Sequence, residues 1–93
     1  MLREFLAVLP NLDDAIRQAC REKNYELLFE TVHKMAGLAS GSGAPKIQNS
    51  AMYLKAILKR DPKPYEEINT TVASLLQSTR EFNDKFSGAA TDN

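Results

Sequence analysis

The sequence predicts an all-α protein, an antiparallel up-and-down four-helix bundle with an additional short or kinked N-terminal helix. Apolar residues recur at steps of three and four along most of the chain, which is the period of a helix with one buried face. Runs rich in glycine and proline separate these stretches. The sequence contains no strand-like alternation, no hairpin signal and no internal repeat. We therefore expect helices packed on one core.

The first helical stretch covers residues 2–23 and is interrupted by a proline. Pro10 has no N–H to donate, so it kinks or breaks the helix it lies in. Asn11 can cap a second stretch, with Asp13 and Asp14 near its positive N-terminal end. The pattern predicts either one kinked helix or two short ones.

The second helix carries His33, the only histidine of the chain. Asn24 is predicted to cap its start, and Gly41 and Gly43 to lie past its end. On a helical wheel the buried stripe consists of Leu28, Val32, Met35 and Ala39. At about 100° per residue, His33 points roughly 130° away from the centre of that stripe. The imidazole is therefore predicted to face solvent.

The neighbours of His33 one turn away are mostly small on the C-terminal side. The neighbours before it are Phe29 and Glu30, and those after it are Ala36, Gly37 and Ser40. A glycine inside a helix costs roughly 1 kcal/mol relative to alanine. We interpret Gly37 as leaving space for an approaching partner.

The third helix is predicted to begin near Pro45, which suits a first turn because no N–H is needed there. Its buried stripe is Ile47, Ala51, Leu54 and Leu58, with Met52 and Tyr53 on the flanks. The rigid turn Asp61-Pro62-Lys63-Pro64 separates it from the fourth helix.

The fourth helix is predicted from Tyr65 onward and has the clearest seam. That seam is Ile68, Val72, Leu75, Thr79, Phe82 and Phe86. Residues 87–93 have no apolar repeat and are predicted to be a disordered tail. The bundle is expected to be a single domain over residues 1–86.

Composition argues against several classes of binding partner and several cellular locations. The 93 residues carry 12 basic and 12 acidic side chains without a basic cluster, so we expect neither nucleic acid nor an anionic membrane surface as a partner. No apolar run approaches the ~20 residues of a membrane span, and the first residues do not resemble a signal peptide. The sequence favours a cytoplasmic location. Cys20 is single and is predicted to be a buried or half-buried thiol.

The supply of reactive residues excludes most catalytic chemistry. One histidine and one cysteine do not make a zinc site. No base lies at motif spacing from a serine or cysteine, and residues 41–43 lack the lysine of a phosphate-binding loop. The chain is therefore expected to hold no metal or cofactor and not to act as an autonomous enzyme.

The residues around His33 resemble a known signature. The string HKMAG begins at His33, and small residues follow as far as Ala44. It resembles the H-K-[hydrophobic]-K-G…G-[small] signature of histidine phosphotransfer (HPt) domains, and the likeness extends over about residues 2–86. The sequence GSGAPKIQN is similar to the C-terminal HPt modules of tripartite hybrid sensor histidine kinases. That likeness implies a parent of this kind, with the chain in the cytoplasmic part of a membrane-bound kinase.

This resemblance implies a phosphorelay carrier in two-component signal transduction. His33 would accept a phosphoryl group from an aspartate of a response-regulator receiver domain and pass it to another receiver, in transient complexes. The receivers would supply Mg²⁺ and most catalytic groups. Lys34, Gly37, Lys55 and Lys59 are expected to stabilise the phosphoryl group or to form the docking surface.

One departure from the signature keeps a second hypothesis open. The family usually has lysine or another polar residue three positions after the histidine, where this chain has Ala36. Lys55 and Lys59 would compensate for it. The alternative is a helical interaction or dimerisation module with an HPt-like fold and no phosphotransfer.

Overall fold

The structure is a computed structural model that describes residues 2–91, with side chains described for residues 2–86. In the described chain there are four α-helices and no strand, which confirms the all-α prediction. The helices are α1 (Leu2–Arg21), α2 (Tyr25–Gly41), α3 (Pro45–Leu58) and α4 (Tyr65–Thr91). Consecutive helices pack on one another and α4 packs on α1. The short connections, residues 22–24, 42–44 and 59–64, fit the up-and-down arrangement that the sequence predicts.

Helix α1 continues through its proline. Of the two alternatives for residues 2–23, one kinked helix or two short ones, a single helix is observed and the break into two is wrong, whereas the kink at Pro10 stays a prediction. Nor does an additional helix precede α1 within residues 2–91, because α1 is itself one of the four. Phe5 and Leu9 before the proline and Leu12 and Ile16 after it are all buried on one face. Pro10 is exposed, where water can satisfy the carbonyl that lacks its N–H partner.

Local signals fix where α2 begins and ends. The side-chain oxygen of Asn24 accepts a hydrogen bond from the N–H of Leu27 at 3.2 Å, which confirms the predicted cap. A left-handed residue lies two positions after the last residue of α1 and of α2, namely Lys23 with φ 56° and Gly43 with φ 68°. Gly41 lies inside α2, so its placement past the helix end is wrong.

The core consists of the predicted apolar stripes. On α2, α3 and α4 every predicted stripe residue is buried except Phe82 and Phe86, which are half-buried. Phe82 packs its ring against Phe5 of α1 with centroids 5.6 Å apart. Met52 and Tyr53 are exposed, as expected for the flanks of α3. Helix α4 extends to Thr91, five residues into the predicted disordered tail of residues 87–93, and residues 92–93 lie outside the described residues. The predicted domain boundary at residue 86 remains a prediction.

Candidate functional site

His33 lies on the exposed face of α2. Its side chain points to solvent while the stripe on the other side of the helix is buried, as the helical wheel predicts. Among residues 2–86 no hydrogen bond joins the imidazole to a carboxylate, so the acid–base partner of a hydrolytic triad is missing. The imidazole is therefore accessible to a second molecule.

Phe29 forms a platform beside the imidazole. It lies one turn before His33, and the two rings are parallel, with an interplanar angle of 3° and centroids 6.4 Å apart. The phenyl ring is half-buried and packs against the core, so it is anchored where the imidazole is exposed. The sequence identified Phe29 as a neighbour of His33 and gave it no role. The i,i+4 spacing of two rings was the signal available.

Lys55 of α3 and Lys59, the residue directly after α3, bring two cations to the same ring. The ammonium nitrogen of Lys59 lies 5.3 Å from the centroid of Phe29, and that of Lys55 lies 6.0 Å from it. Neither lysine forms an ion pair with a carboxylate in the part of the chain whose side chains are described. The structure thus joins two of the predicted lysines to the histidine helix through Phe29.

Lys34 lies on the other flank of His33. Successive residues of a helix point about 100° apart, and Lys34 is turned away from the side on which Phe29 lies. It is exposed and makes no ion pair within residues 2–86. The structure does not bring it to the ring cluster.

Gly37 is exposed and borders open space. A Cβ atom built on it would meet nothing within 4 Å, and its backbone φ is not positive. Neither packing nor backbone conformation therefore requires glycine at this position. The fold would be served better by alanine, which has the higher helix propensity.

Ala36 is part of the core rather than of the site. It is 7% exposed and lies in the buried cluster. The sequence grouped it with the outward neighbours of His33, and that grouping is wrong because α2 packs on both α1 and α3, which widens its buried face. No polar group is presented to the imidazole from this position.

An open depression of about 590 Å³ borders the site at the start of α2. Its lining is Tyr25, Glu26, Phe29, Glu30, Leu58, Lys59 and Lys63. Phe29 therefore belongs to both the depression and the ring stack. The ammonium group of Lys63 donates to the carbonyl of Leu58 at 3.0 Å, which places a cation at the negative end of α3. Burial, and then the nearby Tyr65, raise the pKa of the Tyr25 hydroxyl above its ordinary value.

The described residues offer no other reactive cluster. Within them, no group of three or more His, Cys, Asp or Glu side chains could hold a metal ion. The expectation of a carrier without metal or cofactor remains a prediction. None of the described helices is both long and apolar enough to span a membrane.

Comparison with known proteins gives one family. A family model described as "Hpt domain" matches residues 1–82, which is most of the chain. No curated protein and no solved structure matches the sequence. The family match covers the whole of α1, α2 and α3 and the first two-thirds of α4.

Proposed function

The chain belongs to the Hpt domain family, and on that premise we propose that His33 is the phosphoryl acceptor of a phosphorelay. Hpt domains are phosphocarriers of two-component signalling rather than catalysts, and they interact with response-regulator receiver domains. The proposal concerns which residues of this chain perform that role. His33 would accept the phosphoryl group from one receiver aspartate and pass it to another.

The transfer step needs a lone pair and an unobstructed approach. An unprotonated imidazole nitrogen attacks phosphorus, a P–N bond forms, and the bond between phosphorus and the aspartyl oxygen breaks, so that the carboxylate leaves with the electron pair. Nε2 is the proposed nucleophile because it lies farther from the helix backbone than Nδ1. The reverse displacement on a second receiver returns the imidazole. The receiver supplies Mg²⁺ and most catalytic groups.

The observation that best supports this assignment is the exposed imidazole stacked on the Phe29 ring, over which lie two cations that have no carboxylate partner in the described chain. A phosphohistidine adds up to about two negative charges. Lys55 and Lys59 can neutralise them without breaking an existing ion pair. Their position also compensates for Ala36, which is buried and nonpolar. Lys34 would contribute charge from the opposite flank.

The open surface at Gly37 supports docking of a receiver next to His33. A residue that the fold does not need, at a position where alanine would stabilise the helix, is explained if a partner requires the space. The docking face would comprise Lys34, Gly37, Lys55 and Lys59 around His33. A transient complex of this kind buries a small interface.

The wider setting is proposed from sequence likeness. The similarity of residues 41–49 to C-terminal modules of hybrid sensor histidine kinases supports such a parent, with this domain on the cytoplasmic side. The same chemistry would operate in a freestanding carrier.

The test is transfer of labelled phosphate from a phosphorylated receiver of the same organism to this protein, with His33→Gln as the control. We expect an acid-labile label on the wild type and none on the variant. Because His33 is exposed, both proteins should unfold at the same denaturant concentration. A folded wild-type protein that takes no label from any of the organism's receivers would contradict the proposal.

The buried Ala36 favours one other function. A domain without a polar group at this position could be a helical interaction or dimerisation module with the Hpt fold and no phosphotransfer. Restoring the family's residue by Ala36→Lys separates the two. Transfer by the wild type removes this alternative, whereas transfer only by the variant supports it.

A further inference from the structure

We propose that Phe29 is the positioning residue of the site, holding the His33 imidazole in a fixed plane and the ammonium groups of Lys55 and Lys59 within reach of it. This inference rests on the proposed function of His33 and adds a residue to it. An exposed imidazole on a helix can adopt several rotamers, and only some direct a nitrogen at an incoming phosphorus atom.

The contact with the imidazole is a stacked one. An interplanar angle of 3° with centroids 6.4 Å apart is an offset parallel arrangement, which aromatic pairs favour. The phenyl ring itself is held by the core between α2 and α3, so the fixed partner of the pair is Phe29. Stacking limits rotation of the imidazole and leaves its edge, which carries both nitrogens, free for attack.

The contact between the Phe29 ring and the two lysines differs in its effect from an ion pair with a carboxylate. The two ammonium nitrogens lie 5.3 and 6.0 Å from the ring centroid, within the range of cation–π attraction. A neutral ring orders the cations and keeps their full charge. If a glutamate held them, a phosphoryl group would have to compete with that carboxylate. With Phe29, the ammonium groups can move from the ring to phosphoryl oxygens, where charge-assisted hydrogen bonds are stronger.

The first experiment measures the ring contacts by NMR and needs no receiver. We compare wild type with Phe29→Leu, which keeps apolar volume and removes the ring, and with Phe29→Tyr, which keeps the ring. Phe82→Leu is the matched control, since Phe82 is also a half-buried phenylalanine but packs on Phe5. We expect the ring protons of His33 and the ε-methylene protons of both lysines to lose their ring-current shifts only in Phe29→Leu. Unchanged shifts in that variant would overturn the proposal.

The second experiment measures the rate of His33 phosphorylation, both by phosphoramidate and by a phosphorylated receiver. We expect Phe29→Leu to react roughly three- to tenfold more slowly with both donors. Phe29→Tyr should restore the rate, and Phe82→Leu should match the wild type. A slow reaction with the receiver only would make Phe29 a docking residue and overturn the positioning role. Phe29→Leu at the wild-type rate would overturn it too.

A third measurement follows the lysines after phosphorylation of the wild type. Their ε-methylene resonances should leave the ring-shifted positions when His33 carries phosphate, and unchanged resonances would overturn the transfer of the cations from ring to phosphoryl group. If the wild type accepts phosphate from neither donor, the proposed function itself fails and Phe29 has no imidazole to position. A reactive wild type with an equally reactive Phe29→Leu refutes only this inference.

Discussion

Polar groups have opposite environments in two regions, the seam between α1 and α4 and the face formed by α2 and α3. At the first, the Asp13 carboxylate accepts a hydrogen bond from the buried Thr79 hydroxyl at 2.9 Å. At the second, Lys55 and Lys59 have no carboxylate partner among residues 2–86 and lie over the Phe29 ring. At the α1–α4 seam, Asp13 and Thr79 are therefore partners of each other, although the other carboxylate oxygen of Asp13 is buried without a hydrogen bond among the described residues. The polar groups on the α2–α3 face are available to another molecule.

Because of this difference, substitutions in the two regions should have different consequences. Changes at the α1–α4 seam should alter the free energy of unfolding and leave phosphotransfer intact. Changes on the α2–α3 face should alter phosphotransfer without a comparable loss of stability. Four variants, one of them a double variant, test this separation.

The largest expected effect is that of Thr79→Val. Valine has the shape of threonine but leaves Asp13 without its hydrogen-bond donor, so we expect a loss of about 2 kcal/mol in the free energy of unfolding. Thr70→Val is the matched control, because Thr70 is exposed and its hydroxyl donates only to the carbonyl of Glu66 on its own helix. Denaturant unfolding measures both. Equal stability of the two variants, or slow phosphotransfer in Thr79→Val, would contradict the proposed separation between the α1–α4 seam and the α2–α3 face.

The second effect is that of Lys55→Met combined with Lys59→Met. Methionine keeps contact with the phenyl ring and removes both charges, so stability should change by less than about 1 kcal/mol. Phosphotransfer should slow roughly tenfold, since no other cation of the described residues lies over Phe29.

The matched control is Lys46→Met combined with Lys85→Met. It removes the same charge, and Lys85 also lies over a phenyl ring, that of Phe86 at 5.9 Å. Both residues border a depression at the N-terminal end of α3, away from Lys55 and Lys59. If the control slows transfer as much as the test variant, net charge rather than position explains the effect.

The third effect compares two glycines: Gly37 lies inside α2, and Gly43 lies two residues after its end. Gly37→Ala should raise the free energy of unfolding by about 1 kcal/mol, because the added methyl group meets nothing and alanine favours the helix. Gly43→Ala should lower it by about 1 kcal/mol, because φ there is +68°. Thermal unfolding gives both signs. The more stable Gly37→Ala variant should accept phosphate more slowly than the wild type from a receiver and at the wild-type rate from phosphoramidate. If the variant and the wild type react equally fast with the receiver, the receiver does not occupy the open space at Gly37.

The sequence was sufficient wherever one helix decides the outcome. The outward direction of His33, the buried stripes and the Asn24 cap depend on helical period and on residues within four positions of each other. The sequence left open whether α1 continues through Pro10, and it does continue because the burial of its two halves on one face outweighs the local cost of the proline. That outcome depends on tertiary packing.

Contacts between helices could not be obtained from the sequence. Lys55 and Lys59 were identified as candidates from their shared face, but their approach to Phe29 depends on how α3 is rotated against α2. The pairing of Asp13 with Thr79 joins residues 66 positions apart. The burial of Ala36 likewise follows from the width of the contact that α2 makes with its neighbours. Each of these requires helix positions that periodicity does not specify.

The smallest expected effect is the pH dependence of stability that Asp13 contributes. Burial raises the pKa of its carboxyl group above 3.8, although the hydrogen bond from Thr79 and the charge of Arg17 oppose this. The folded state therefore binds the proton more readily than the unfolded state. Ionised Asp13 costs stability above its folded pKa, and this cost disappears as pH falls toward 3.8.

Asp13→Asn isolates that contribution, because asparagine does not titrate and every other group is shared with the wild type. The free energy of unfolding of the wild type should rise relative to that of the variant as pH is lowered from about 7 to about 4. Urea unfolding across this range measures the difference. A difference in free energy of unfolding that does not change with pH would show that the carboxyl group is not desolvated at the seam. If acidification instead destabilises the wild type relative to the variant, the pKa of Asp13 is lowered in the folded state. In either case the polar group of the α1–α4 seam would resemble the solvated cations of the α2–α3 face, and burial would no longer distinguish the two regions.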